Sequence, residues 1–391
     1  SIIELGPLVD KDLWRYRLQP LENKVLEQVD IVWLHVNESP FTLWQRPNLS
    51  ASSTYADLDE FLTSPPDFNR IAVYNYDPDF EYIIPEYEAS DEVSEWSYSL
   101  RGDWQVFVYL ADEELRLSVD IVDLNQNLDS DEAELRLYYE NELLSMSTLP
   151  DDDNQTDNGE VSGPRKLEIN QSGLPSGVYK LEFRAGDDLV SKRLISAQEK
   201  FVFNGKLNFH KDNNTNVSFW TDSNEVQALT VYPESFQNIM IGQGELELSE
   251  VYTQFKQKVL RASSSDQVAQ VILAEDGVQI TGDGTFALNK KNWFNPKLKK
   301  ITSDLDINEA QIDYILANYR APSETEDWRE VTLSVPLKDA YREAGQYSIL
   351  LSLPGIDNHE DQFVRLKSLE IELHGTSLWN KIKELLNEKF N

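Results

Sequence analysis

Alternation of apolar and polar residues runs through much of the chain, and it limits the fold more than any other feature. In LRLSVDIV at 115–122, Leu117, Val119 and Ile121 would share one side of an extended segment, opposite Ser118 and Asp120. The same pattern recurs at 104–110, 178–183, 329–335, 347–353 and 369–373. Such segments are typical of antiparallel strands with one face on a core and one in water. The sequence therefore predicts an all-β fold of antiparallel β-sandwiches with a few short helices.

Changes in pattern along the chain predict four regions. Residues 1–68 form an extended N-terminal segment with aromatic anchors, and residues 69–197 form a first, immunoglobulin-like sandwich. Residues 198–375 form a second, jelly-roll-like sandwich, and 376–391 an amphipathic C-terminal helix. The stretch GLPSGVYKLEF at 173–183 favours the immunoglobulin-like reading, because a tight turn leads into a strand with an inward tyrosine.

Two internal segments carry helical rather than strand periodicity. Leu58, Phe61 and Leu62 would share one face of a short helix at 56–62. In SEVYTQFKQKVL at 249–260, Val251 and Phe255 belong to an apolar stripe and Ser249 is a suitable N-cap. We therefore expect a short helix at each place.

Oxygen-bearing side chains alternate in two acidic loops. The first, DLNQNLDSDEAE at 123–134, and the second, DDDNQTDNG at 151–159, together offer Asp123, Asn125, Asn127, Asp129, Asp131, Asp151, Asp153 and Asp157. Calcium prefers six to eight such oxygens. The first loop has the spacing of EF-hand ligands, but Leu128 stands where that motif needs glycine, and its flanks alternate as strands. An EF-hand is therefore rejected.

The segment between the two loops predicts a hairpin, with strands in ELRLYY and LLSMSTL. Residues before the first strand and after the second strand of a hairpin meet at one end. Both acidic loops should therefore lie side by side at one pole of the first sandwich. Calcium bound between them is one interpretation, and a solvated acidic edge without an ion is the alternative.

Charge and composition exclude several classes of partner. A net charge of -34 would repel nucleic acid and anionic lipid headgroups. With no cysteine, the chain has no disulfide, thiolate metal site or cysteine nucleophile. Because no run of about 18 apolar residues occurs, we expect no transmembrane segment in this chain. Cations, neutral sugars and other proteins remain as partners.

Known catalytic motifs are missing, and the four histidines are isolated from one another. A glycoside hydrolase with a carboxylate pair stays open, because only geometry would identify the pair. Tryptophan is a stronger lead for binding, since a flat indole can stack on a sugar ring. Trp293, beside turn residues in KNWFNP, is the candidate ligand-binding residue, although a core position is the simpler reading of any single tryptophan.

Three stretches carry a family resemblance: IELGPLVDKDLWRY at 3–16, SLRGDWQVFVYL at 99–110, and NWFNPKLKKIT with IDYILANYRAP within 292–322. Together they resemble uncharacterised, predicted surface-exposed β-sandwich proteins of uncultivated small-genome bacteria. The resemblance implies a location outside the cytoplasm. It supplies no catalytic residues.

The sequence therefore favours a non-enzymatic structural or adhesive protein of the cell surface. We expect it to self-associate as a layer or to bind other surface proteins, and calcium to stabilise it. The alternative is a carbohydrate-binding protein that uses the second sandwich, with glycans as partners. A glycoside hydrolase is the third hypothesis.

Overall fold

The computed structural model describes residues 23–319 except 39–40, 48–53, 76–81, 85–86, 90–91, 127–130, 141, 152–158, 213, 264–265, 303–304 and 309, together with 323–325, 328–330, 342–343, 346–347, 367–370 and 372. Contacts divide the chain into two compact units, one of Gln19–Ser334 and one of Ser1–Leu18 with Val335–Asn391. The site and the core described below all belong to the first unit.

The fold is all-β with large antiparallel sheets, as the alternation predicts. Among the described residues there are two α-helices, α1 (Lys24–Val32) and α2 (Leu58–Thr63). Helix α2 confirms the helix expected at 56–62, and the Asp57 side chain caps it by accepting from the Glu60 N–H. No helix in the described part of the chain is both long and apolar enough to cross a membrane.

One five-stranded sheet joins strands of the N-terminal region to strands within residues 299–317. Its strands, in the order β1-β2-β22-β3-β21, are β1 (Leu34–Glu38), β2 (Phe41–Gln45), β3 (Ile71–Tyr74), β21 (Lys299–Lys300) and β22 (Tyr314–Ala317). Strand β3 is parallel to both β21 and β22. In the described part of region 1–68, the aromatic residues Trp33, Trp44 and Phe61 pack between this sheet and the two helices, while the region as a whole stays a prediction.

Alternate residues of β3 explain how the sheet is covered on both faces. Ala72 and Tyr74 join the core cluster of helix α1, whereas Ile71 and Val73 join the cluster of helix α2. Successive side chains of a strand point to opposite faces. The sheet is therefore a middle layer, with one helix on each side.

A second five-stranded sheet and a twelve-stranded sheet form the main body. The five-stranded sheet contains β4 (Ser94–Trp96), β5 (Leu100–Arg101), β7 (Leu115–Asp123), β10 (Arg165–Gln171) and β12 (Leu189–Ser196). The twelve-stranded sheet contains β6 (Trp104–Leu110), β8 (Ala133–Tyr139), β9 (Glu142–Leu149), β11 (Gly177–Ala185), β13 (Phe201–Asn208), β14 (Thr215–Thr221), β15 (Glu225–Leu229), β16 (Gln237–Ile241), β17 (Gly244–Leu248), β18 (Phe255–Lys258), β19 (Ala269–Glu275) and β20 (Gln279–Ala287). Two short hairpins follow, β23 (Ser323–Thr325) with β24 (Trp328–Glu330) and β25 (Arg342–Glu343) with β26 (Gln346–Tyr347).

The two large sheets pack face to face between residues 94 and 209. Their shared core takes Leu117, Val119 and Ile121 from β7, and Val106 and Val108 from β6. In the strand after the predicted turn, Tyr179 is fully buried and its hydroxyl donates to the Pro175 carbonyl at 2.7 Å. Immunoglobulin-like sandwiches contain a comparable hydroxyl-to-backbone bond, which is called the tyrosine corner.

The twelve-stranded sheet continues across the predicted boundary at Ala197. Strand β13 pairs with β6 before the boundary and with β20 after it. Alternation shows which face of a strand is buried but not which strand lies beside it, so this pairing was not predictable. The limits 69–197 and 198–375 stay predictions, as does the helix at 376–391, which lies outside the described residues.

The prediction of a helix at 249–260 is wrong. Val251 and Tyr252 form a turn, and Phe255–Lys258 is strand β18, paired with β15. In FKQK the half-buried Phe255 and Gln257 alternate with exposed lysines, which is a period of two. Pairing with β15 therefore outweighs the weak helical stripe.

Candidate metal centre

Three aspartates meet where strands of both sandwich sheets end. Asp123 is the last residue of β7, Asp188 directly precedes β12, and Asp131 lies two residues before β8. Strands β7 and β12 are neighbours, with Leu189 opposite Asp123, whereas β8 belongs to the other sheet. The Leu124 N–H donates to the Asp188 carbonyl at 3.0 Å and holds the two chain segments together. The fold thus brings three carboxylates together at one pole of the sandwich.

The three carboxylates are close together and shielded from solvent. One oxygen of each lies within 4.8 Å of the others. Asp123, Asp131 and Asp188 are only 0%, 2% and 1% exposed, respectively. Buried ionised carboxylates are strongly unfavourable unless they are paired, hydrogen-bonded or bound to a metal.

Each of the three carboxylates keeps one oxygen that no described donor reaches: Asp123 Oδ2, Asp131 Oδ1 and Asp188 Oδ2. Among the described residues no lysine or arginine forms a salt bridge with any of them. The guanidinium of Arg165 donates to the backbone carbonyl of Asp131 at 3.3 Å and not to its carboxylate. Within the described part of the chain, no salt bridge supplies the cluster with a counter-charge.

Burial and mutual repulsion shift the proton equilibria of the cluster. The pKa of Asp131 rises from 3.8 to about 7, first because the carboxyl is buried and then because Asp123 and Asp188 lie beside it. The pKa of Asp188 is also raised, chiefly by burial and further by the charge of Asp123. Asp131 and Asp123 lie within hydrogen-bonding reach, so a proton on Asp131 can bridge them. Without a cation, a proton takes the place of the missing counter-charge.

Backbone bonds hold the loops around the cluster in place. Asn125, in the left-handed region at φ 49°, donates its N–H to Asp123 Oδ1 at 2.7 Å. Its side-chain amide donates to the Glu160 carbonyl at 2.6 Å. Asp123 and Ser162 exchange two bonds of 2.8 Å each. The loop after β7 is therefore tied to the segment before β10.

The two acidic loops come together here. The Asp131 N–H lies 3.4 Å from Asp151 Oδ1, so the start of the second loop lies beside the end of the first. Asp123 and Asp131 supply cluster carboxylates, and Asn125 binds the backbone around them. Of the other predicted ligands, Asn127, Asp129, Asp153 and Asp157 lie outside the described residues.

Asp188 was not predicted from the sequence. It lies in AGDDLV at 185–190, far from both acidic loops along the chain, and reaches them only through the pairing of β12 with β7. The local sequence pattern is an acidic residue directly before an apolar strand, and this pattern is only a weak indication of a metal ligand. Its neighbour Asp187 is exposed, so the same dipeptide holds one buried and one solvated carboxylate.

The cluster has the chemistry and size of a calcium site. Calcium binds carboxylate oxygens at about 2.3–2.6 Å, so two oxygens on one ion lie at most about 5 Å apart. The three oxygens lie within 4.8 Å of one another, which is inside that limit. A divalent ion would neutralise two of the three carboxylate charges, and water or backbone carbonyls would complete its coordination.

The other predicted ligand-binding residue, Trp293, lies elsewhere. It is half-buried and packs against a cluster on the outer face of the twelve-stranded sheet that includes Phe107 and Phe294. Its indole N–H is buried without a described acceptor. A role for Trp293 in sugar binding stays a prediction.

Comparison with known proteins gives little similarity. No family model matches the chain, and no curated protein matches it. Among solved structures, the crystal structure of dimeric latent PorU from Porphyromonas gingivalis is similar over 53% of this chain, with 11% identity and a TM-score of 0.17. The match spans 20% of the PorU chain. Similarity this low supports no inference about fold or function.

Proposed function

We propose that the protein is a non-enzymatic structural or adhesive component of the cell surface, and that it binds calcium through Asp123, Asp131 and Asp188. The observation that carries this proposal is the buried triad of carboxylates without a counter-charge from described residues. A divalent ion there would replace repulsion among three strand ends by attraction. It would thereby fasten the two sheets of the sandwich at one pole.

A location outside the cytoplasm agrees with a calcium site of this kind. Extracellular modules bind calcium with dissociation constants of roughly 10⁻⁴–10⁻³ M. At ten times the dissociation constant, such a site stabilises the folded state by about 1.4 kcal/mol. The strong negative charge of the chain would further raise the local concentration of divalent cations.

Strand β9 supports self-association. It ends the order of the twelve-stranded sheet; β10 of the other sheet packs beside it, but no described strand forms a ladder of hydrogen bonds with its outer edge. Its residues Leu143, Leu144 and Met146 are exposed, and Glu142 is its only charged residue. Edge strands without charges or prolines are templates for pairing with another chain. A second copy is the partner that we propose, because an edge with one charged residue limits the repulsion between two highly negative molecules.

Thermal unfolding with calcium and with a chelator tests the ion site. We expect millimolar calcium to raise the midpoint by a few degrees in the wild type and in Asp187→Asn, but not in Asp188→Asn. Asp187 is the matched control, because it is the adjacent, exposed carboxylate. Equal shifts in wild type and Asp188→Asn, or no shift at 10 mM calcium, would refute the site.

Light scattering at increasing protein concentration tests self-association. The two methionines of the chain offer a matched pair, since Met146 on edge strand β9 is 48% exposed and Met240 on the internal strand β16 is 43% exposed. Met146→Lys should prevent assembly in calcium, whereas Met240→Lys should not. A wild-type protein that stays monomeric in calcium would contradict the self-association.

A further inference from the structure

A second feature with binding chemistry is a cleft of about 410 Å³. It lies beside strands β5, β13, β15 and β20, and its lining includes Arg101, Lys206, Asn208, Tyr232, Tyr252 and Gln279. Its volume falls in the range of small-molecule sites, about 300–1,000 Å³. Neither the cation site nor the edge strand uses these residues.

Tyr252 presents an aromatic ring to solvent on the rim of this cleft. It is 75% exposed, and its backbone is in the left-handed region at φ 58°. A bulky residue is rarely found in this conformation. The Tyr252 N–H donates to the Thr230 carbonyl at 2.9 Å, which fixes the turn. Strained backbone that holds an exposed ring beside a cleft is typical of a functional position.

Arg101 is oriented in the same cleft by neutral groups. Its guanidinium donates to the Asp187 carbonyl, to the Tyr232 hydroxyl at 3.2 Å and to Gln126 Oε1 at 3.0 Å. Because a guanidinium carries five N–H donors, these three bonds leave two for a ligand. Asn208 holds the adjacent backbone by donating to the Arg101 carbonyl at 3.1 Å.

The charge of the lining indicates a neutral ligand. Arg101 and Lys206 are positive, and Asp103 and Asp187 are negative, so the charged lining residues balance. The pKa of His210, also in the lining, is lowered by burial and by the charge of Lys192, which disfavours the positively charged imidazolium. An anionic ligand would meet the repulsion of a chain with net charge -34.

We propose that this cleft binds one or two rings of a neutral saccharide, with a sugar face stacked on Tyr252. Sugar hydroxyls both donate and accept, which matches a lining that mixes guanidinium, ammonium, carboxylate and amide groups. The apolar face of the sugar would cover the exposed tyrosine ring. The site is distinct from Trp293 and does not depend on the proposed cation site.

Screening of the full chain on an array of neutral and acidic glycans, followed by calorimetry with the best free oligosaccharide, tests the cleft. We expect binding of neutral glycans, weakened at least tenfold by Tyr252→Ala. Tyr252→Phe keeps the ring and should bind within about threefold of wild type. Phe236→Ala is the matched control, because it removes an exposed aromatic residue that does not line the cleft.

Gln279→Ala, also in the cleft lining, is a second variant for the case that Tyr252→Ala fails to fold. It should likewise weaken glycan binding. Glycan binding is measured in the presence of calcium. Because the cleft does not depend on the proposed cation site, we expect glycan binding even if calcium leaves the unfolding midpoint unchanged. Three results would overturn the proposal: no neutral glycan bound at millimolar concentration, binding of acidic glycans alone, or equal affinity in wild type and both cleft variants.

Discussion

Without divalent cations, the contribution of Asp131 to the stability of the folded protein should decrease as the pH rises from about 4 to 7. The pKa of Asp131 is about 7 in the folded protein and near 3.8 when unperturbed. Between these values the folded state holds a proton that the unfolded state has lost, so the free energy of unfolding decreases with pH. The slope reaches about 1.36 kcal/mol per pH unit for one proton. Over the whole interval the loss is at most of the order of 4 kcal/mol.

Urea unfolding in chelator at a series of pH values measures this loss. Because Asp188 and Asp222 also have raised pKa values, the decisive comparison is with Asp131→Asn, which removes only one titrating group. We expect the difference in stability between wild type and variant to change with pH in chelator. Calcium should abolish the wild-type loss, since the ion replaces the proton. Parallel pH profiles of wild type and Asp131→Asn in chelator would refute the reasoning about the triad.

Two further predictions concern the frame of the sandwich. Tyr179→Phe should lower the free energy of unfolding in urea by about 1 kcal/mol, because it removes the bond to the Pro175 carbonyl; an unchanged value would mean that water replaces the bond. Gly277→Ala should destabilise by about 1–3 kcal/mol, because φ is +80° and a Cβ would lie 2.5 Å from Ser235 Oγ. The control Gly173→Ala, with φ +73° and open space around it, should lose less, and equal losses would exclude the clash as the cause.

The predictable part of the fold is the part that depends on local periodicity. Every second residue of β7 from Leu115 to Ile121 is buried, as the alternation of that segment indicates. The short helix α2 was predictable for the same reason, since its apolar residues repeat at helical spacing and Asp57 caps it. A strand or helix that buries one face and exposes the other to water has a periodic pattern of apolar residues in its sequence.

Pairing between strands that are far apart in the chain produces no such pattern in the sequence. The parallel pairing of β3 with β21 and β22 and the pairing of β13 with β6 depend on packing between segments far apart in the chain. The segment 255–258 shows the same limit, because its pairing with β15 decides its structure against a weak helical stripe. These features required the three-dimensional structure.

The candidate metal centre combines both kinds of information. Asp123 and Asp131 belong to a loop whose alternating oxygens suggested an ion, and Asp151 follows the hairpin that brings the second loop beside it. Asp188 comes from the connection between β11 and β12, two strands of different sheets, and the pairing of β12 with β7 places Leu189 opposite Asp123. A dense run of exposed acidic residues can remain solvated at little cost, whereas three buried carboxylates need a proton or a cation. Asp188, the buried aspartate from outside the acidic loops, therefore distinguishes a candidate ion site from an acidic surface. Asp188→Asn is the substitution that tests this distinction most directly.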